Sequence, residues 1–192
     1  KMEKRTHMEV EIKIPINNAD EIREKILSKG GKIKREKHFE SNYLFDYLDR
    51  SLSAQGFLLR VRDLPEGALL TFKGKVVTHE KYKTRPEAET ICLDKQAIKT
   101  ILHSIGLKIY FRYEKYREEY ILNDALVCID QLPFGYYLEI EGEEENIEKV
   151  TEILELDKNL FSKKSYAAIF AEICREAGKA FTDILFSPQD EK

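Results

Sequence analysis

No stretch of this sequence approaches the roughly 20 apolar residues that a membrane-crossing helix needs. Its start, KMEKRTHMEV, also lacks the apolar segment of a secretory signal. Cysteine is sparse: Cys92, Cys128 and Cys174 lie far apart, are odd in number and form no CxxC pair. That argues against a disulfide framework or a cysteine-based zinc site and points to a reducing, cytoplasmic setting. The four histidines, His7, His38, His79 and His103, show no metal-ligand spacing. Internal repeats, low-complexity tracts and linkers are missing. So is net charge: 32 basic against 35 acidic residues leave −3. A general nucleic-acid binder is usually basic overall, so any function must come from where charges are placed.

What is present is 192 residues, 42% hydrophobic and 35% charged, which suits one domain with a substantial core. The pair His7-Met8 suggests that residues 1–7 are a tag or non-native leader, and the fold reading starts at Met8. Residues 8–16 alternate, with Val10, Ile12 and Ile14 opposite Glu9, Glu11 and Lys13, the period of a strand. Asn17 to Asp20 offer caps for a helix carrying Ile22, Ile26 and Leu27 and ending at Gly30-Gly31. Further strands are read at 41–47, 57–63, 68–75, 84–93, 108–122, 125–131 and 136–142, with 76–83 as a loop. Pro86 argues for an edge or bulge, and Asn123-Asp124 for a hairpin turn. Asp94 caps a second helix whose apolar stripe is Ile98, Ile101, Leu102 and Ile105, stopped by Gly106. Helices follow with Ile147, Val150, Ile153 and Leu154, then Tyr166, Ile169, Phe170 and Ile173. The last ten residues read as frayed. Eight strands joined mostly by short turns predict an α+β fold: one antiparallel sheet, curled or closed into a barrel, with helices packed outside.

The polar faces carry the functional signal. Lys13, Arg60, Arg62, Lys73, Arg85, Lys115 and Arg117 all fall in strands, as do Glu9, Glu11, Glu87, Glu89, Asp130, Glu139 and Glu141. Lysine and glutamate are depleted in ordinary strands. Were these faces to point inward, the lumen would have to be wet and hold an ionic ligand, because unpaired buried charge is costly. Arginine forks and lysine point charges suit phosphate oxygens. Carboxylates at i, i+2 suit Mg²⁺ or Mn²⁺ bridging protein and phosphate. The rival reading is a set of salt bridges on an outer face, worth about 0–1 kcal/mol each. His38 and His103 read as surface or helix-face residues. Tyr43, Tyr47, Tyr110, Tyr113 and Tyr116 read as strand packing, and Glu143-Glu144-Glu145 as a solvated helix start.

Glu9-Val10-Glu11-Ile12-Lys13 resembles the ExExK signature of the CYTH superfamily, the triphosphate tunnel metalloenzymes. In the same order, Leu59 to Arg62 resembles LRxR, Leu70 to Gly74 LTFKG, Arg85 to Glu89 RxExE and Lys115 to Arg117 KxR. Asp130 to Glu141 resembles the closing D…LGxxLEIE segment, and Lys164 to Tyr166 the SY element. The wording is nearest the class IV adenylyl cyclase branch. The second strand departs from a QxNxYFD-like pattern, with Glu40 for glutamine and Leu44 for an aromatic. The resemblance covers about residues 8–172, taken as the CYTH domain, with 173–192 as a C-terminal helical extension and tail. It implies an eight-stranded tunnel in which Glu9, Glu11, Glu139 and Glu141, joined by Asp130, hold Mg²⁺ or Mn²⁺. It also implies that Lys13, Arg60, Arg62, Lys73, Arg85, Lys115 and Arg117 grip a triphosphate: ATP, thiamine triphosphate or tripolyphosphate. Lys13 and Lys73 are the candidate catalytic groups, if packed cations depress their pKa. The implied activity is cyclisation of ATP to cyclic AMP and pyrophosphate. Terminal phosphate hydrolysis and noncatalytic polyphosphate binding are the alternatives. A homodimer follows from family analogy alone; neither a nucleic-acid nor a membrane partner is expected.

Overall fold

The computed structural model describes residues 6–78 and 83–187. Residues 1–5 of the expected leader, 79–82 of the expected loop, with His79, and 188–192 of the expected frayed tail lie outside them. Strands β1 (Thr6–Ile16), β2 (Lys32–Asp46), β3 (Leu58–Asp63), β4 (Ala68–Lys73), β5 (Val77–Thr78), β6 (Lys83–Cys92), β7 (Lys108–Leu122), β8 (Ala125–Leu132) and β9 (Gly135–Glu141) form one sheet. Helices α1 (Ala19–Ser28), α2 (Ser51–Ala54), α3 (Lys95–Ser104), α4 (Glu144–Ile153) and α5 (Tyr166–Glu176) surround it. The order β1-β9-β8-β7-β2-β3-β4-β6 returns to β1 through a β1–β6 pairing, so eight antiparallel strands close in a ring, with the short β5 attached to β6.

Closure turns the usual alternation around: the charged faces look into the ring and the apolar faces look out. Ile12, Ile14, Val127, Leu138 and Ile140 are buried outside the ring against Ile26 of α1 and Ile147, Val150 and Leu154 of α4. Each such side chain contributes about 1.5–3 kcal/mol. Phe45, Val61 and Ala68 pack on Leu102 of α3. Local chemistry sets the helix ends as expected. Asn18 Oδ1 accepts from the amides of Asp20 and Glu21, Asp94 Oδ1 from those of Gln96 and Ala97, and Glu144 opens α4 behind Glu143.

Several expectations are corrected. β1 starts at Thr6, so residues 6 and 7 belong to the sheet and pair with Ala88 and Glu87. β2 begins at Lys32 instead of 41, because the long β7 pairs with it along its length. Val77–Thr78 is a short strand inside the expected loop. Of the α3 stripe only Leu102 is buried; Ile101 and Ile105 are exposed. The helix of the expected extension ends at Glu176, and of the last ten residues, read as frayed, the described part, 183–187, is tied to β7 at Ile184. β7 reaches past the end of β8, and Ile184 lies parallel to its free edge, with Ile184 N donating to Arg112 O and Glu114 N to Ile184 O, at 2.9 and 2.8 Å. Ile184 is buried with Leu44, Phe111 and Tyr166. Covering an open strand edge removes a site for pairing with other chains.

One outer contact has a clear pH consequence. Arg23 of α1 donates from Nε and Nη2 to the two oxygens of Glu118 on β7, both at 2.7 Å. That pairing holds the Glu118 carboxyl below its ordinary value. A carboxylate depressed in the folded state stabilises above its unfolded pKa and loses that contribution as pH falls through the folded one. Arg23→Gln is therefore expected to cost about 1 kcal/mol at pH 7, allowing for screening at a partly exposed guanidinium. The difference from the parent chain should shrink in urea melts taken below about pH 4. A constant difference across pH would remove this pairing as its source.

Candidate functional site in the lumen

Inside the ring lies a cavity of about 430 Å³. Its acidic wall comes from β1 and β9, where register sets Glu11 opposite Glu141 and Lys13 opposite Glu139. Glu9 follows on β1, level with Arg85 of β6. Its basic wall comes from β3 and β7, carrying Arg60 and Arg62, and Lys115 and Arg117. Lys73 of β4 stands between Glu9 and Glu87. Eleven of the twelve residues proposed from sequence line this one cavity: Glu9, Glu11, Lys13, Arg60, Arg62, Lys73, Arg85, Lys115, Arg117, Glu139 and Glu141.

Asp130 is the exception. It is fully buried behind the wall, and its oxygens accept from Lys115 Nζ at 3.0 Å, from Arg117 Nε and Nη2 at 2.6 Å each, and from the Tyr166 hydroxyl at 2.6 Å. It therefore faces the cations and not the other carboxylates. Tyr166 reaches it because α5 lies across one end of the ring, where Ser165, Tyr166 and Ala167 also line the cavity. The segment before α5 is fixed by backbone bonds between Lys13 and Ser162, at 3.0 and 2.8 Å.

Arg85 reaches the lumen with part of its fork already used. Nε and Nη2 donate to Gly74 O at 2.9 and 2.6 Å, and Nη2 also to Lys73 O at 3.1 Å. Gly74 is required for this close approach, since a Cβ there would meet Pro86 Cγ at 2.7 Å. Pro86 lies one residue beyond the last β4–β6 pair, Lys73 with Glu87, where its missing N–H costs no ladder bond on that side.

The charges shift one another strongly. Burial pushes Glu139 up, but Arg117, Lys13 and Lys115 outweigh it and hold the carboxyl well below its ordinary range. Burial lifts Glu9 against Lys73, with Glu11 and Glu87 adding to the rise. Burial and the neighbouring Glu9 and Glu139 push Glu141 up to about 7. Burial would lower Lys13, yet Glu11 and Glu139 hold it above its ordinary value. Burial and Arg60 would lower Lys73, and Glu9 and Glu87 overcome them. The depressed lysine expected of a proton acceptor is thus found at neither position: nearby acids outnumber nearby cations.

Among the described residues, no three acid, histidine or cysteine side chains already stand as a metal cluster. Lys13 and Lys73 lie among the carboxylates instead, Lys13 at 2.6 Å from Glu11 and 2.9 Å from Glu139. The donor set still fits a hard divalent cation. Its ligands are carboxylate oxygens, Glu9 Oε2 is buried without a hydrogen-bond partner, and crowded acids raise Glu9 and Glu141.

Further groups touch these walls that the site reading from sequence did not include. Glu40 is buried on β2 beside Arg62 and Lys115. His38, read as a surface residue, has Nε2 at 3.5 Å from Glu40 and 3.7 Å from Glu119. Tyr113, read as strand packing, accepts from Arg60 Nη1 at 3.2 Å. Burial would raise its phenol, but Arg60, Arg62 and Lys115 hold it below its ordinary value. Glu87 and Glu89, read from sequence among the strand acids that would face inward, line the cavity beside Arg85.

Comparison with known proteins agrees with this geometry. Residues 7–168 match the family model described as the CYTH domain. A Methanocaldococcus jannaschii protein provisionally named an adenylate cyclase is 30% identical over 149 residues, covering 77% of this chain and 84% of the relative. A solved Pyrococcus horikoshii protein superposes with a TM-score of 0.71 at 29% identity, covering 86% of this chain and 99% of that one. A Hippeastrum protein, provisionally an adenylyl cyclase and described with a dominant triphosphatase activity, superposes at 0.64 with 18% identity, covering 90% and 96%.

Proposed function

Since this chain belongs to the CYTH domain family, we propose that it is a metal-dependent enzyme acting on a triphosphate, an adenylyl cyclase of the class IV kind. The observation that supports this is the meeting of a basic and an acidic wall around one 430 Å³ cavity. Such a lumen is stable only if the two signs offset each other or a ligand does so. Arg60, Arg62, Lys115 and Arg117 bind phosphate oxygens. Lys13 and Lys73 exchange their carboxylates for phosphate as the substrate enters. Glu9, Glu11, Glu139 and Glu141 would hold Mg²⁺ or Mn²⁺, which when bound lowers the pKa of an attacking hydroxyl and offsets charge on the leaving pyrophosphate. Asp130 does not ligate in this reading; it fixes the rotamers of Lys115 and Arg117.

Cyclisation joins the ribose 3′-oxygen to the α-phosphorus and breaks the bond from that phosphorus to the pyrophosphate oxygen, the hydroxyl's proton passing to water. The chain contributes position and charge more than proton transfer. Hydrolysis of a terminal phosphate is the second reading, favoured by the triphosphatase activity described for the Hippeastrum neighbour.

The test combines thermal shift and product analysis with ATP, thiamine triphosphate and tripolyphosphate, each with and without Mg²⁺ or Mn²⁺. Cyclic AMP and pyrophosphate formed from ATP only with metal are expected. Orthophosphate as the product would replace cyclisation by hydrolysis. Stabilisation without any turnover would leave a binding module, and no response to any triphosphate would end the proposal.

A further inference from the structure

We infer that Glu40 is an internal competitor of the substrate, a carboxylate of the chain itself that occupies the place of a phosphate oxygen on Arg62 and Lys115 and so weakens the grip on any anion that takes these two cations. The inference rests on the triphosphate reading of the lumen. Register places Glu40 of β2 directly opposite Lys115 of β7, two residues from Asn42, which faces Arg62 of β3. The side chain is buried, with 2% exposure. Its Oε1 lies 2.8 Å from Arg62 Nη1 and its Oε2 3.6 Å from Lys115 Nζ.

How Glu40 is held separates it from the other acid in contact with Lys115. Asp130 takes directed bonds from Lys115, Arg117 and Tyr166. Neither oxygen of Glu40 has a hydrogen-bond partner among the described residues. Ion pairing with Arg62 and Lys115 seats it, with His38 Nε2 3.5 Å away, and Lys115, Arg62 and His38 keep it ionised despite burial. Asp130 is locked; Glu40 is displaceable.

Buried Arg62 and Lys115 need a counter-charge when no ligand is bound, and Glu40 supplies it. Carboxylate and phosphate oxygens use the same donors in the same geometry. An incoming polyphosphate therefore gains these two cations only against Glu40, whose charge also repels it. The penalty is the same for every anion that takes these two cations, so triphosphate and pyrophosphate are weakened by a similar factor. The effect is a looser grip that favours release of the product.

Calorimetric titration of the full chain with tripolyphosphate and with pyrophosphate, without turnover, tests this. Glu40→Gln keeps shape and removes charge. It is expected to bind both anions at least about tenfold tighter, by a similar factor, with correspondingly stronger product inhibition. Glu40→Asp withdraws the carboxylate by one methylene and should fall between the two; it carries the test if the glutamine variant does not fold. Equal or weaker binding in the variants would overturn the competitor role while leaving the triphosphate site in place. A parent chain that binds no tripolyphosphate would remove both readings.

Discussion

Glu141→Gln is expected to lower metal-supported turnover by about 10²–10³-fold while leaving the barrel as stable as the parent. Glu9, Glu11 and Glu139 each face a protein cation: Lys73 for the first, Lys13 for the second, and Lys13 with Arg117 for the third. Glu141 has no such ion pair among the described residues and is pushed up to about 7 by burial, Glu9 and Glu139. It is the acid of the set least committed to the chain, so its charge is the most available to a divalent ion. For the same reason a neutral isostere strips no buried cation of its partner and relieves crowding between acids. Circular dichroism should match the parent, and titration with Mn²⁺ should need a much higher concentration to restore rate. Unchanged metal dependence would take Glu141 out of the metal-binding set.

Asp130→Ala should act in the opposite way, through folding first. The fully buried carboxylate serves two cations and a phenol at once. Removing it leaves Lys115 and Arg117 enclosed with too little negative charge, at a cost of about 3–5 kcal/mol. Urea unfolding should show that loss. Tripolyphosphate should recover a large part of it, since the anion returns charge to the same cations. Asp130→Asn keeps the volume and should bind Mn²⁺ like the parent while binding tripolyphosphate more weakly. Loss of Mn²⁺ affinity with anion binding intact would instead restore Asp130 to the metal ligands that its sequence context suggests.

Much of the architecture is legible in the sequence, for a physical reason. Period-two alternation such as Val10, Ile12 and Ile14 against Glu9, Glu11 and Lys13 survives closure unchanged, and charge repeated at i, i+2 on nearly every strand, of both signs, fits a wet interior once the sheet closes. What alternation lacks is the identity of the neighbour across the ladder. Glu40 gained its partners from the register that sets it against Lys115, and Asp130 gained Tyr166 from a helix thirty-odd residues away in sequence. The start of β2 was invisible because KIKREKH shows no alternation. Register shifts at Ile33/Arg35 and Arg35/His38 break the period, and both faces of residues 32–37 are exposed. Ile101 and Ile105 show the converse: helical spacing promises an apolar stripe, but only tertiary packing decides which part of it is covered.

The closing seam of the ring also fixes the order of events at synthesis. β1 is flanked by β6 and by β9, so on a ribosome the edge of its Glu-x-Glu-x-Lys row toward β9 stays unpaired until Glu141 has left the exit tunnel. Contacts so distant along the chain form slowly. The ability to capture a polyanion should therefore appear in the slowest kinetic phase of refolding, after most helical signal has returned.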